Sequence, residues 1–128
     1  MQRGTEFKGA CCDIVLLHAG VNNVTKGAEP FAAGFRVSFE YAVAAIATLF
    51  HCKVVCSTVC LTRSDRLNLR VAEANTIIRE EVVGAGWVLA SHDNVRVQDL
   101  ADEVHLNAGG VAKLYRTILG ALRQFLPA

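Results

Sequence analysis

Most of the features that would name a partner outright are missing from this sequence. There is no charge excess: 13 Lys plus Arg face 12 Asp plus Glu in 128 residues, a formal net charge of +1. Long-range attraction to nucleic acid or to an anionic membrane needs a larger imbalance, so neither is expected as a partner. No apolar run reaches the ~18–20 residues that cross a bilayer, and the polar stretch 1–9 lacks the apolar centre of a secretion signal. No CxxC pair occurs. Cys11, Cys12, Cys52, Cys56 and Cys60 are odd in number, and three of them lie in or beside apolar runs. Free thiols in a reducing, cytoplasmic setting are expected, and Cys52, Cys56 and Cys60, although four apart beside His51, are expected to be buried rather than to hold a metal. No repeat or low-complexity linker interrupts the chain, so residues 10–128 are expected to form a single domain behind a short leader, 1–9.

What is abundant is apolar side chain, 52% of residues, enough for a real core. The run 13–19 (DIVLLHA) is almost continuously apolar and ends at Gly20, the pattern of a parallel strand covered on both faces. The polar stretch from Gly20 to Glu29 reads as a loop. Phe31, Phe35, Phe39, Val43, Ile46 and Phe50 then recur at helical spacing after Pro30. Residues 53–61 (KVVCSTVCL) predict a second strand, and Leu67, Val71, Ala74, Ile77, Ile78 and Val82 a second helix stopped by Gly84 and Gly86. Residues 87–91 (WVLAS) predict a third strand, 92–105 a long loop, and Asn107 the N-cap of a last helix bearing Val111, Leu114, Tyr115, Ile118, Leu119, Leu122 and Leu126, with Pro127 ending it. Strands alternating with helices predict an α/β fold, a three-layer α/β/α sandwich around a parallel sheet with right-handed crossovers. In such sheets ligands bind beyond the carboxyl ends of the strands, here the loops that begin at Gly20, Leu61 and His92.

Two segments fall at that edge: residues 18–23 (HAGVNN) and 102–107 (DEVHLN). An amide such as that of Asn22 can donate a hydrogen bond to a developing oxyanion, and an Asp102/His105 pair three apart can orient an imidazole as general base. Either segment alone is a common turn or cap; their order and placement together point to chemistry. His18 and His92 read as satisfied strand-end histidines. Arg63, Arg66 and Arg70 read as a solvated helix entrance rather than a phosphate clamp.

The pair of segments resembles two blocks of the SGNH (GDSL-type) hydrolases, in which an apolar strand runs into a Gly-x-Asn-Asp turn and an Asp-x-x-His segment opens the last helix. Together with 102–109 (DEVHLNAG) and the helix bearing Asn75, they look most like the esterase domains of some non-LTR retrotransposons. The resemblance implies a flavodoxin-like fold and no cofactor or metal. It implies Asn22 as oxyanion donor, with Gly20 and Asn23 in the same substrate-binding turn, His105 as general base and Asp102 as its orienting partner. Here Val21 replaces a commonly polar residue, Asn23 the aspartate, and Glu103 the usual glycine.

The family's serine sits in a Gly-Asp-Ser block after an earlier strand, and no Gly-Asp-Ser occurs in this sequence. The nucleophile is therefore unassigned: Ser38, Ser57, Ser64 and Ser91 all fall in other contexts. The expectation is the carboxyl-terminal part of an SGNH-like domain, a truncated version of the fold, with weak or no activity on a small ester. The alternatives are an ester hydrolase with an unconventional nucleophile and a self-associating module of mobile-element origin. A sheet lacking the serine-bearing strand would expose the edge of the first strand, so a homodimer through that edge and the adjoining helices is expected.

Overall fold

The computed structural model describes residues 14–18, 20–49 and 53–126. Cys11, Cys12, His51, Cys52, Phe50 and Pro127, on which some expectations rested, lie outside them. Along the chain run strand β1 (Ile14–Leu17), helices α1 (Val21–Lys26) and α2 (Phe31–Leu49), strand β2 (Lys53–Ser57), helix α3 (Asp65–Ala85), strand β3 (Val88–Ala90) and helix α4 (Ala108–Leu122). Short 3-10 turns occur at Val97–Asp99 and Arg123–Phe125.

The strands pair in parallel in the order β1-β2-β3, with Leu16 opposite Val55 and Cys56 opposite Leu89. Successive residues of β2 face opposite layers, as the two-residue period of a strand requires. Cys56 joins Phe35, Phe39, Val71, Ile78 and their neighbours beneath α2 and α3, while Val55 joins Ala90, Ile118 and Ala121 beneath α4. The molecule is thus a three-layer α/β/α sandwich, as the alternation of strands and helices predicts.

Helix α3 carries its apolar set as read, with Leu67, Val71, Ala74, Ile77, Ile78 and Val82 all buried. Its start is fixed by Ser64, whose hydroxyl accepts from the Leu67 amide, and its end by Gly86. Two asparagines, poor helix formers, sit inside it for a reason. The Asn75 side chain accepts from the Val59 amide (2.7 Å) and donates to the Val59 carbonyl (2.9 Å). Asn68 does the same for Thr62, at 2.7 and 2.9 Å. The two amides stand in for strand neighbours and pin the segment after β2, whose backbone has left the sheet.

Four expectations need correction. The stretch from Gly20 to Glu29 is not a plain loop: α1 occupies its first half. The second strand stops at Ser57, so Cys60 is off the sheet and does not share a strand face with Cys56. Arg70 is buried, not solvated; its guanidinium donates to the carbonyls of Val24 (3.0 Å) and Gly27 (2.7 Å) and pairs with Glu29. It closes the last turn of α1, whose carbonyls would otherwise lack donors. The last helix ends at Leu122, short of the Leu126 read for it, and Val111, Tyr115 and Leu126 are exposed, because α4 lies over β2 and β3. Ile14 reaches its apolar cluster, but Leu16 on the same face of β1 remains 43% exposed.

Among the described residues no helix is long and apolar enough to cross a membrane, and no group of three metal-ligating side chains occurs. Cys56 and Cys60 are free, and burial pushes their thiols up to about 12 and about 11, so both stay protonated at neutral pH.

Candidate functional site

The loop before α4 is built around one carboxylate. Asp102 Oδ1 accepts from the backbone amides of Val104 (3.0 Å) and His105 (2.8 Å), folding residues 102–105 into a tight turn. The same carboxylate accepts from His105 Nδ1, at 2.9 Å from Oδ2 and 3.0 Å from Oδ1. Because a carboxylate only accepts, Nδ1 carries the proton and the ring directs Nε2 away from Asp102. These hydrogen bonds, the His105 amide first, hold the Asp102 carboxyl down at about 2. The loop is held at both ends. Leu100 bridges Leu106, the Ala101 amide bonds the His105 carbonyl at 2.7 Å, and Arg63 donates to the Leu100 carbonyl at 3.0 Å. Glu103 sits in ordinary backbone, since no non-glycine residue among those described has positive φ.

Asp99 anchors this loop to α4. Its carboxylate accepts from the Arg96 amide and from Lys113 Nζ, both at 2.8 Å, which lowers its pKa, with Lys113 the larger influence. Asn107 caps α4 by accepting from the Gly110 amide at 2.9 Å. A Cβ on Gly110 would lie 2.4 Å from the Asp99 carbonyl, so the close approach of the two backbones requires glycine there.

On the other side of the sheet edge, Gly20 precedes α1 with φ +114°, and a Cβ there would meet Val59 at 2.8 Å. Only glycine fits that position without strain. Asn22 and Asn23, expected on a turn, occupy the first turn of α1 and are exposed. Among the described residues no hydrogen bond joins their side chains to Asp102 or His105. Asn22, Asn23, Asp102 and His105 thus all lie after the carboxyl ends of strands, on separate segments.

A second histidine pair was not foreseen. His92, just past β3, has its Nε2 3.0 Å from Ser57 Oγ at the end of β2, and its amide donates to Thr58 Oγ1 at 2.9 Å. His92 and Ser57 are 3% and 1% exposed, and His92 Nδ1 is buried without a partner. Burial, with His18 edge-on at 5.9 Å, pushes the His92 imidazole down to about 4 against a small opposing pull from Asp93. The ring is neutral at pH 7. The satisfied strand-end histidine read from the sequence is therefore satisfied at one nitrogen only. Its sequence signal was its place after an apolar strand; nothing local pointed to Ser57, 35 residues earlier.

No protein-family model matches the chain, and no curated protein does. Solved structures do. A lipolytic G-D-S-L family protein from Veillonella parvula superposes with TM-score 0.76 at 16% identity, over 95% of this chain and 70% of that one. LAE5, an α/β hydrolase from the metagenome of Lake Arreo, gives 0.71 at 17%, over 90% and 62%. Axe2, an acetylxylan esterase from Geobacillus stearothermophilus, gives 0.70 at 15%, over 91% and 60%. At such identities the likeness speaks for the fold: the chain has the α/β architecture of the SGNH, or G-D-S-L, hydrolases, and spans between 60% and 70% of the length of these three.

Proposed function

We propose that this chain is an SGNH-type, esterase-like domain in which His105 is the general base, Asp102 its orienting partner and Asn22 an oxyanion donor, with Gly20 and Asn23 shaping the substrate-binding segment. The observation that carries the reading is the Asp102–His105 pair. A carboxylate fixed by two backbone amides holds Nδ1 as donor and leaves Nε2 to take a proton from a nucleophile. No Gly-Asp-Ser segment occurs within these 128 residues, so none of their serines matches the one the pair would activate. Turnover of short acyl esters is then weak or absent, proceeding at best by attack of water. The decisive measurement is hydrolysis of p-nitrophenyl acetate by the wild-type chain, His105→Ala and Asn22→Ala. Any enzymatic rate should fall by about 10²-fold or more without His105, and an unchanged rate would remove His105 from the chemistry.

A second reading, hydrolysis through an unconventional nucleophile, is favoured by the Ser57–His92 contact of 3.0 Å, a nucleophile–base geometry. Both groups are buried, so substrate would have to open the ends of β2 and β3. Labelling of wild type but not of Ser57→Ala by a fluorophosphonate would support it; no labelling of either would sink it.

We further propose a homodimer across the outer edge of β1, supported by the exposure of Leu16 and by the absence, among the described residues, of a strand beside it. Such self-association would also serve an interaction module of mobile-element origin. Sedimentation showing a monomer at micromolar concentration would overturn the dimer.

A further inference from the structure

We infer that the groove between α1 and the first half of α2 is a binding site for a small amphipathic carboxylate, of the size of a medium-chain fatty acid. A cavity of about 400 Å³ opens there over Phe31, Gly34, Phe35 and Pro30, within the range of small-ligand sites. A deeper recess of about 100 Å³ continues it towards Leu17 and Gly20, and the two share Asn23, Phe35 and Ser38. On the outer side of Asn23 lies a surface hollow lined by Asn22, Asn23, Lys26 and Gly27. Asn23 therefore sits where an apolar trough meets a polar, cationic end.

Two observations give that trough a direction and an occupant. Gly34 lies inside a 19-residue helix, where glycine weakens the helix relative to alanine, yet a Cβ there would meet no atom within 4 Å. Packing does not demand the glycine; its effect is to leave the floor of the cavity open. The charges favour an anion at the other end. Lys26 has no carboxylate partner among the described residues, and the side-chain amides of Asn22 and Asn23 have no hydrogen-bond partner there. The one carboxylate in the lining, Glu29, is paired with Arg70, which lowers its pKa and cancels its repulsion. A carboxylate at Asn22, Asn23 and Lys26 with its apolar tail over Phe31, Gly34 and Phe35 satisfies both ends. Asp102 and His105 line none of these three cavities, so the site needs no turnover, although it shares Asn22 and Asn23 with the proposed hydrolase reading.

Octanoate is the probe, titrated into the full chain and followed by calorimetry and by backbone amide shifts. Saturable binding with shifts centred on residues 22–38 is expected. Gly34→Leu fills the trough and should weaken octanoate at least tenfold (~1.4 kcal/mol), with a melting temperature equal to or above that of wild type. Lys26→Ala should weaken octanoate but not 1-octanol. Should Gly34→Leu fail to fold, Ser38→Leu, at an exposed position lining the same cavity, carries the same expectation. Absence of octanoate binding, or binding indifferent to the filled trough, would overturn the inference. An ester-hydrolysis rate unchanged by His105→Ala, with octanoate binding retained, would strike the hydrolase reading alone.

Discussion

Two histidines sit beyond the strand ends of this sheet in opposite surroundings. His92 is 3% exposed, meets one serine hydroxyl and has its other nitrogen unpaired. The side chain of His105 is 77% exposed and bonded to a carboxylate that two backbone amides hold in place. Burial makes His92 a neutral base near no solvent; exposure gives His105 reach, and its basic nitrogen is set by geometry instead. The comparison separates what holds the fold from what could do chemistry. Histidine is versatile enough to serve either, and sequence spacing alone does not say which.

The comparison is tested most strongly by deleting each ring. His92→Ala opens a space beneath the ends of β2 and β3 and strips Ser57 Oγ of its partner. Cavity and unpaired-hydroxyl costs together predict a loss of about 2–4 kcal/mol in urea unfolding. His105→Ala removes an exposed ring and should change stability by no more than about 0.5 kcal/mol. Equal losses for the two variants would break the distinction.

Acid sharpens it. His92 binds its proton near 6.5 when unfolded and at about 4 when folded. Between those values the unfolded chain holds more protons, so stability rises with pH there. The contribution is complete above about pH 6.5, falls away as pH drops towards 4, and is flat below. A shift from 6.5 to about 4 corresponds to roughly 3 kcal/mol as an upper figure, since partial opening would let water reach the ring. His18 and Asp93 are the titratable neighbours of the ring. Asp102 behaves in the opposite chemical sense and lower down. Its carboxylate is favoured by folding, so its contribution stands above about 3.8 and is lost as pH falls towards 2. Melting curves at half-unit steps should show the upper window disappear in His92→Gln and the lower one persist. An unchanged upper slope in that variant would mean His92 does not report burial.

The layer order and most of the core were legible because apolar periodicity reports directly on burial. All six apolar positions read for α3 are buried, and Asn107 caps α4 as read, through ordinary local hydrogen bonding. What sequence did not carry was long-range. Arg70 looked solvated because its acceptors lie on α1, more than forty residues away. The helix at Val21–Lys26 was hidden because five of its six residues, two Val, two Asn and one Thr, have poor helix propensity, and tertiary closure by that same arginine overrides the local preference. Val111 and Tyr115 fitted the apolar stripe of α4, but a stripe gives the face that could be buried, not the width of sheet beneath it. At the site, Asp102 and His105 were readable because three-residue spacing within one loop is a local geometry. The Ser57–His92 contact was not, since it depends on two strands lying side by side.

The smallest change in structure, and the sharpest chemical one, is expected at Asp102. In Asp102→Asn the side-chain oxygen can still accept from the Val104 and His105 amides, so the turn keeps its two backbone bonds and the chain its fold. The NH₂ group, however, replaces Oδ2, the nearer of the two oxygens that face His105 Nδ1. Two donors cannot share that 2.9 Å contact, so the neutral ring should move its proton to Nε2 and accept at Nδ1. Nε2 then has no lone pair for a nucleophile's proton, and a general base is lost while the fold is kept. Imidazole ¹⁵N shifts distinguish the two tautomers directly, whether or not any ester is turned over. A ring that keeps its proton on Nδ1 in Asp102→Asn would show that the turn backbone, not the carboxylate, sets the orientation of His105, and Asp102 would lose its place beside it.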